Sequence, residues 1–198
     1  MSVPILILAG GASRRMGARD KLLEPVHGQP LLRLQAWRAL KVSPAVSVLI
    51  RPDRPDLESA LEGLNVRIIR ADESEEGIGG SIRAGTRAHL DQSCFLLMLA
   101  DLVDIDSSDL RAVIGARNLS PGPMIWRGAT TDGKPGHPIL FEQPVFEDLL
   151  QLQGDTGGET IMAKHAGNIN LVALPGAKAR RDLDTPQDWD NWRAEQNA

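Results

Sequence analysis

One cysteine is all that the 198 residues contain, and Cys94 sits inside the apolar run CFLLMLA. A lone thiol excludes an internal disulfide and any cysteine-cluster metal site. A reducing, cytoplasmic setting is the expectation that fits. Excess positive charge is missing as well: 22 Lys and Arg against 26 Asp and Glu give a formal charge of −4. That balance excludes a broad electrostatic grip on DNA or RNA. Long apolar runs are missing too, since Ile5–Ala9 and Cys94–Ala100 are far too short to cross a bilayer. Met1–Ala12 carries no basic leader and runs into a glycine turn, so it does not read as a secretion signal. Neither nucleic acid nor membrane is an expected partner. No internal repeat or low-complexity tract stands out.

What is present is ordinary for a folded globular chain: 42% hydrophobic and 24% charged residues. Val3–Ala9, Ala45–Ile50, Val66–Ile69 and Cys94–Leu99 read as short buried strands. Between them, Pro30–Leu40 approximates a helical stripe through Leu31, Leu34, Trp37, Ala39 and Leu40. Asp56–Leu64 reads as a second helix, and Ser81–Leu90, behind Gly77, Gly79 and Gly80, as a third. Ser107–Ala116 follows as a helix capped by Ser107 or Ser108. Met124–Trp126 and Pro138–Phe141 suit strands, Glu159–His165 a short helix, and Ile169–Leu174 a strand. Pro186 opens a final helix with Trp189 and Trp192 as packing residues on one face. Alternating strands and helices with short links predict an α/β fold: a single-domain, three-layer, Rossmann-like sandwich around a mostly parallel sheet. Ligands of such sheets lie beyond the carboxyl ends of the strands. That rule singles out the loop after Ala9, and Asp101.

The loop reads LAGGASRRMGARDK from Leu8 to Lys21. Glycine beyond a strand lets backbone approach a ligand closely, and successive amides form an anion nest. Leu8, Ala9, Gly10, Gly11 and Ser13 are therefore candidate nucleotide contacts, with Arg15 and Lys21 as fixed positive charges for phosphate. The segment is neither a P-loop nor Gly-x-Gly-x-x-Gly. Asp101, just past a strand, is a candidate ligand for Mg²⁺, a hard cation that prefers oxygen. Asp182 and Asp184, two apart, face one side of an extended segment and suit the same ion, or one of them caps the helix at Pro186. Ser81 touches the base or ribose, or caps a helix. Asp155 contacts substrate or braces its loop. His137 shares no metal-ligand spacing with His27, His89 or His165.

Leu8–Lys21 resembles the signature of the molybdenum cofactor nucleotidyltransferases, the guanylyltransferases and cytidylyltransferases. GSIRAG (Gly80–Gly85), LAD (Leu99–Asp101), GHPILF (Gly136–Phe141), GDTG (Gly154–Gly157) and DLDTP (Asp182–Pro186) follow in that family's order. Nearly the whole chain is covered. The resemblance implies one nucleotidyltransferase domain over 1–198, with a nucleotide-binding part near 1–105 and an acceptor-binding part near 106–198. It implies transfer of CMP or GMP from the triphosphate to molybdopterin or molybdenum cofactor, with Mg²⁺ as cofactor and pyrophosphate released. Arg15, Lys21 and Asp101 then carry catalysis, Ser81 contacts nucleotide, and His137 and Asp155 meet the acceptor. The Leu8–Gly11 segment looks like the guanylyltransferase version, whereas GHPIL and DLDTP look like the cytidylyltransferases; more of the chain points to CTP. A recipient molybdoenzyme or its chaperone is a further expected partner. Two other readings stand beside this one: another acceptor, such as a sugar or polyol phosphate, and a non-catalytic module that escorts the cofactor.

Overall fold

The computed structural model describes residues 2–11, 14–17, 19–120, 122–155 and 158–196. Strand β1 (Ile5–Leu8) leads through a 3₁₀ turn (Arg14–Met16) to a hairpin of β2 (Pro25–Val26) and β3 (Gln29–Pro30). Helix α1 (Leu31–Leu40), β4 (Val46–Ile50), α2 (Pro55–Ala60) and β5 (Arg67–Arg70) follow. A turn at Asp72–Glu76 then feeds α3 (Ile78–Arg87), β6 (Cys94–Leu99) and α4 (Ser107–Leu119). The remainder comprises β7 (Ile125–Ala129), β8 (Pro135–Glu142), α5 (Phe146–Leu149), α6 (Glu159–Lys164), β9 (Ile169–Ala173) and α7 (Pro186–Gln196). The main sheet has seven strands in the order β5-β4-β1-β6-β8-β7-β9. Every strand runs the same way except β8, which is antiparallel to both β6 and β7.

The apolar runs become strands because both of their faces are covered. Ile5, Ile7, Val48 and Leu96 point into a core closed by Leu32 and Ala36 of α1, Leu57 of α2, and Leu110 and Val113 of α4. Their neighbours Leu6, Leu49, Phe95 and Phe141 point the other way, against Ile82 of α3, Phe146 of α5 and Met162 of α6. Helix layers on both sides of a mostly parallel sheet are what the alternation predicts. No helix among the described residues is long and apolar enough to cross a membrane.

Three local expectations are corrected. Trp37 does not face the core but is 43% exposed, with the Lys41 ammonium 3.4 Å from its ring centroid. Helix α1 buries Leu31, Leu34 and Ala39 of the expected stripe, and Leu32, Gln35 and Ala36 beside them. Helix α4 is capped by Asp106 rather than by a serine: the Ser108 amide donates to Asp106 Oδ1 at 2.7 Å, and the Asp106 amide donates to Asp109 Oδ2 at 2.9 Å. This reciprocal pair satisfies two otherwise orphaned amides. Helix α3 starts at Ile78, so Gly79 and Gly80 lie inside it and Ser81 cannot be its cap. A Cβ on Gly80 would lie 1.8 Å from the Glu73 carbonyl oxygen. Glycine here permits helix-to-turn contact rather than breaking the helix.

A third cluster positions the carboxyl-terminal carboxylates. Met16, Leu31, Leu34, Val103 and Leu183 enclose Trp189 and Trp192, whose rings meet edge-on at 5.9 Å. Trp192 Nε1 donates to Asp104 at 2.9 Å. Both tryptophans are packing residues, as expected. Leu183 plugs into this cluster, and the extended backbone then turns Asp184 outward to the sheet edge. Neither Asp182 nor Asp184 caps α7, because Thr185 and Asp188 do: the Thr185 amide donates to Asp188 Oδ2 at 2.8 Å. Trp189→Ala should cost about 3–5 kcal/mol, as expected for emptying a buried indole site. Urea denaturation checks this as a lower midpoint at unchanged slope.

Candidate active site

From β1 the chain steps outward to β4 and β5, then returns to place β6 on the other side of β1. The order reverses between β1 and β6, and a crevice opens at their carboxyl ends. There the Ala9 amide donates to the Leu49 carbonyl at 2.8 Å and the Ala100 amide to the Leu8 carbonyl at 3.0 Å, extending both strands to the rim. A cavity of about 450 Å³ occupies the crevice. Of the expected contacts, Leu8, Gly10, Gly11, Arg15, Lys21, Ser81, Asp101, Asp155 and Asp184 line it. Ala9 does not; its side chain is buried in the core beneath the sheet. His137 and Asp182 are not among the lining residues, and Ser13 lies outside the described residues.

Lys21 is the centre of the cavity's charged end. Its Nζ donates to Asp101 Oδ2 at 2.5 Å and to Asp184 Oδ1 at 2.8 Å. The second oxygen of Asp184 pairs with Arg15 Nη2 at 2.5 Å. Lys21 is only 12% exposed, and Leu22, buried beside it, anchors the turn. Burial alone would depress its ammonium, but the charges and hydrogen bonds of Asp101 and Asp184 prevail and raise it. Burial likewise works against the Asp184 carboxylate, yet Lys21 and then Arg15 hold it below the usual range. At Asp182 the charge of Lys21 is the weakest influence and does not prevail. Burial and the like charge of Asp184 push its carboxyl up. Two neighbouring carboxyl groups driven apart in this way mark a site with unbalanced negative charge.

The opposite end of the cavity carries hydroxyls among charged residues of the Asp72–Glu76 turn and the 154–155 loop. Ser81, in the first turn of α3, and Ser74, in the Asp72–Glu76 turn, both present hydroxyls beside Gly10. A Cβ on Gly10 would lie 3.0 Å from Ser81 Oγ and 3.1 Å from Ser74 Oγ. The 154–155 loop closes this end, where the Gly79 amide donates to the Gly154 carbonyl at 2.9 Å. Sequence reasoning passed over Arg51, which follows β4, and the whole Asp72–Glu76 turn, although Arg51, Ser74, Glu75 and Glu76 all line the cavity. The position of Arg51 one residue beyond a strand was the signal available. The turn left none, being a short acidic segment.

His137, the third residue of β8, lies at the same sheet edge, because an antiparallel strand starts where its parallel neighbours end. Burial and then the charge of Arg127 push its imidazole down to about 3 from 6.5. It is therefore neutral at physiological pH, and no general-base titration belongs to it. The sign of the stability effect follows. As pH falls from 6.5 towards 3, the unfolded imidazole takes up a proton that the folded one refuses, so stability is lost. His137→Gln should flatten that part of the acid limb, measured as melting temperature against pH.

A crevice at the reversal point of a doubly wound sheet, with glycine backbone at its floor and cations and carboxylates at one end, defines a nucleotide-binding α/β protein. The family model for the MobA-like NTP transferase domain matches residues 5–169. The chain belongs to that family, and is a nucleotidyltransferase by membership. It is 25% identical over 189 residues to the molybdenum cofactor cytidylyltransferase of Escherichia coli (strain K12), spanning 95% of this chain and 94% of that one. Among solved structures, Rv0371c from Mycobacterium tuberculosis H37Rv superposes with a TM-score of 0.78 at 24% identity, over 97% of this chain and 98% of that one. A second structure of Rv0371c, complexed with manganese, gives 0.68 at 23% identity over 100% of both chains. CMP:2-keto-3-deoxy-manno-octonic acid synthetase complexed with CTP gives 0.77 at 15% identity, over 100% of this chain and 99% of that one. At these identities the superpositions establish the fold.

Proposed function

We propose that the protein transfers CMP from CTP, in preference to GMP from GTP, to molybdopterin or molybdenum cofactor, releasing pyrophosphate. The observation that carries the reading is Lys21 seated between Asp101 and Asp184 at the mouth of the cavity. The triphosphate runs along Gly10 and Gly11 towards Arg15 and Lys21, and the base takes the hydroxyl-bearing end by Gly10, Ser74 and Ser81. The acceptor, with Asp155 and His137 near it, brings a phosphate that is already anionic, so no general base is required. Arg15 and Lys21 offset the charge that builds on the departing pyrophosphate, and rigid positioning of both substrates supplies the remainder. The preference for CTP rests on the GHPIL and DLDTP segments and on the cytidylyltransferase likeness.

A divalent cation, Mg²⁺ by chemistry, fits the residues present. Asp101 Oδ1 is buried with no hydrogen-bond partner among the described residues, an unfilled acceptor of the kind a hard cation takes. The described residues form no ready three-ligand group. Asp101 and Asp184 are the carboxylates that would hold the ion, once Lys21 moves from between them, with Asp182 beside Asp184. Bound there, the ion would supply positive charge that neutralises the phosphates. The manganese complex of Rv0371c supports a cation in this fold.

Pyrophosphate release, measured with molybdopterin, Mg²⁺ and either CTP or GTP, tests the reading. Release with CTP exceeding that with GTP is the expected result. Release only with a sugar phosphate or polyol phosphate, or nucleotide binding without turnover, would replace it with one of the alternatives.

A further inference from the structure

A second cationic cluster stands beside the cavity, built on the first residues of β8. Arg127 Nε, from β7, donates to the Gly136 carbonyl at 2.8 Å. Arg180 Nη1 donates to the preceding carbonyl, that of Pro135, at 3.0 Å. The backbone carrying Arg180 is fastened to the same place, because the His137 amide donates to the Ala179 carbonyl at 2.8 Å. Two guanidinium groups are thus held by adjacent carbonyls, each through one nitrogen.

Neither has a carboxylate within ion-pair distance among the described residues, although the arginines lining the cavity, Arg15 and Arg51, both do. Their mutual repulsion is felt: burial and then the Arg180 charge lower Arg127. Glu159 at the start of α6 offsets this only at longer range. Beside them His137 Nδ1 is buried without a partner among the described residues. Like charges gathered at a half-buried Arg127 and an exposed Arg180, with fork donors left over, are stabilised by an anion, and a planar guanidinium suits phosphate.

The location gives the anion its role. Ile139 of β8 pairs with Leu97 of β6 on one side and with Arg127 of β7 on the other. Arg127 alternates with Trp126 and so shares a face with Ile125 and Ile139, the face to which the cavity residue Leu8 also belongs. Arg127 and the cavity therefore share a face of the sheet, and the exposed Arg180 reaches the same edge from the segment fastened to the start of β8. We propose that Arg127 and Arg180 form an oxyanion subsite that grips a phosphate group of the acceptor. The role as acceptor subsite rests on the nucleotidyl-transfer reading; anion binding itself does not.

The probe is inorganic phosphate, titrated at constant ionic strength and followed by NMR at the Nε–H of Arg127, which separates this subsite from phosphate bound at Lys21. A saturable shift in the wild type, weakened about tenfold in Arg180→Gln, is the expected result, as for loss of one charge-assisted hydrogen-bond donor. No saturable shift, or an unchanged affinity in Arg180→Gln, overturns the subsite. In turnover, Arg127→Gln should raise the KM for molybdopterin about tenfold while leaving the KM for CTP unchanged. Arg127→Lys, which keeps the charge and the packing, should fall between the two. An unchanged KM for molybdopterin overturns the acceptor role. If no nucleotide yields pyrophosphate, the transfer reading falls, and the phosphate titration still decides whether the subsite exists.

Discussion

Lys21→Ala should lower turnover by on the order of 10²–10³, the usual cost of losing one preorganised donor to developing charge. The reason lies in what Lys21 does before and during reaction. In the free enzyme it neutralises Asp101 and Asp184 together, reaching residues 80 and 163 positions away in the chain. Without it, the two carboxylates and the neighbouring Asp182 repel one another, with the exposed Arg15 as the one remaining ion-pair partner among the described residues. The fold should survive, since Leu22 and Leu183 anchor the flanking backbone in separate clusters. Melting should drop by an amount equivalent to about 1–3 kcal/mol, the cost of stripping a partner from mostly buried charges. Mg²⁺ should restore more of that loss in the variant than it adds to the wild type, because in the variant no ammonium competes for the same oxygens. Lys21→Arg should not rescue turnover, since a planar fork cannot replace a compact ammonium between two carboxylates. Pyrophosphate release and melting with and without Mg²⁺ are the measurements. Full activity in Lys21→Ala would remove Lys21 from the mechanism.

That arrangement was partly legible in the sequence. The runs ILIL and CFLLML announce buried strands because burial on both faces leaves no polar alternation. Residues at their carboxyl ends, Gly10, Gly11 and Asp101, then follow from the geometry of parallel sheets. What could not be read was that Lys21 bridges two carboxylates rather than standing apart from them, because that contact depends on how α7 seats Leu183. Arg51 and Ser74 escaped for another reason. Each is a single polar residue in a link, and links carry no periodicity. The start of α3 was misplaced because glycine within a helix is read as a breaker, whereas Gly80 is there for room against Glu73. On the carboxyl-terminal side, β7 and β9 mix Arg127 and Asn170 with apolar residues, so their apolar pattern is diluted. The cluster of Arg127 with Arg180 was hidden for the same reason.

Gly77→Ala should be the most damaging single-methyl change among the glycines that line the cavity. Gly77 sits at φ 120°, in the region that favours glycine, and forms the N-cap of α3. Holding an alanine there costs roughly 1–3 kcal/mol in backbone strain. Space adds to the penalty. The new Cβ would lie 2.2 Å from Asp155 Oδ1 and 2.8 Å from the Gly154 carbonyl oxygen. The Asp155 carboxylate can swing away, but Gly154 is backbone, tied to the Gly79 amide at 2.9 Å. The loop must therefore lift from α3, breaking that hydrogen bond, or α3 must shift its first turn and carry Ser81 with it. Overpacking of this kind typically costs about 1–3 kcal/mol more. Both escapes open the Ser74 and Ser81 end of the cavity. The expected signature is a rise in the KM for CTP accompanied by a lower melting temperature, with Lys21, Asp101 and Asp184 still in register at the other end. Gly154→Ala separates the two contributions: it is strained at φ 56° but meets only the Glu76 carbonyl oxygen, at 3.8 Å. It should therefore destabilise by strain alone and raise the KM less. If Gly77→Ala and Gly154→Ala proved equal in both respects, the close approach of the 154–155 loop to α3 would have no part in shaping the site.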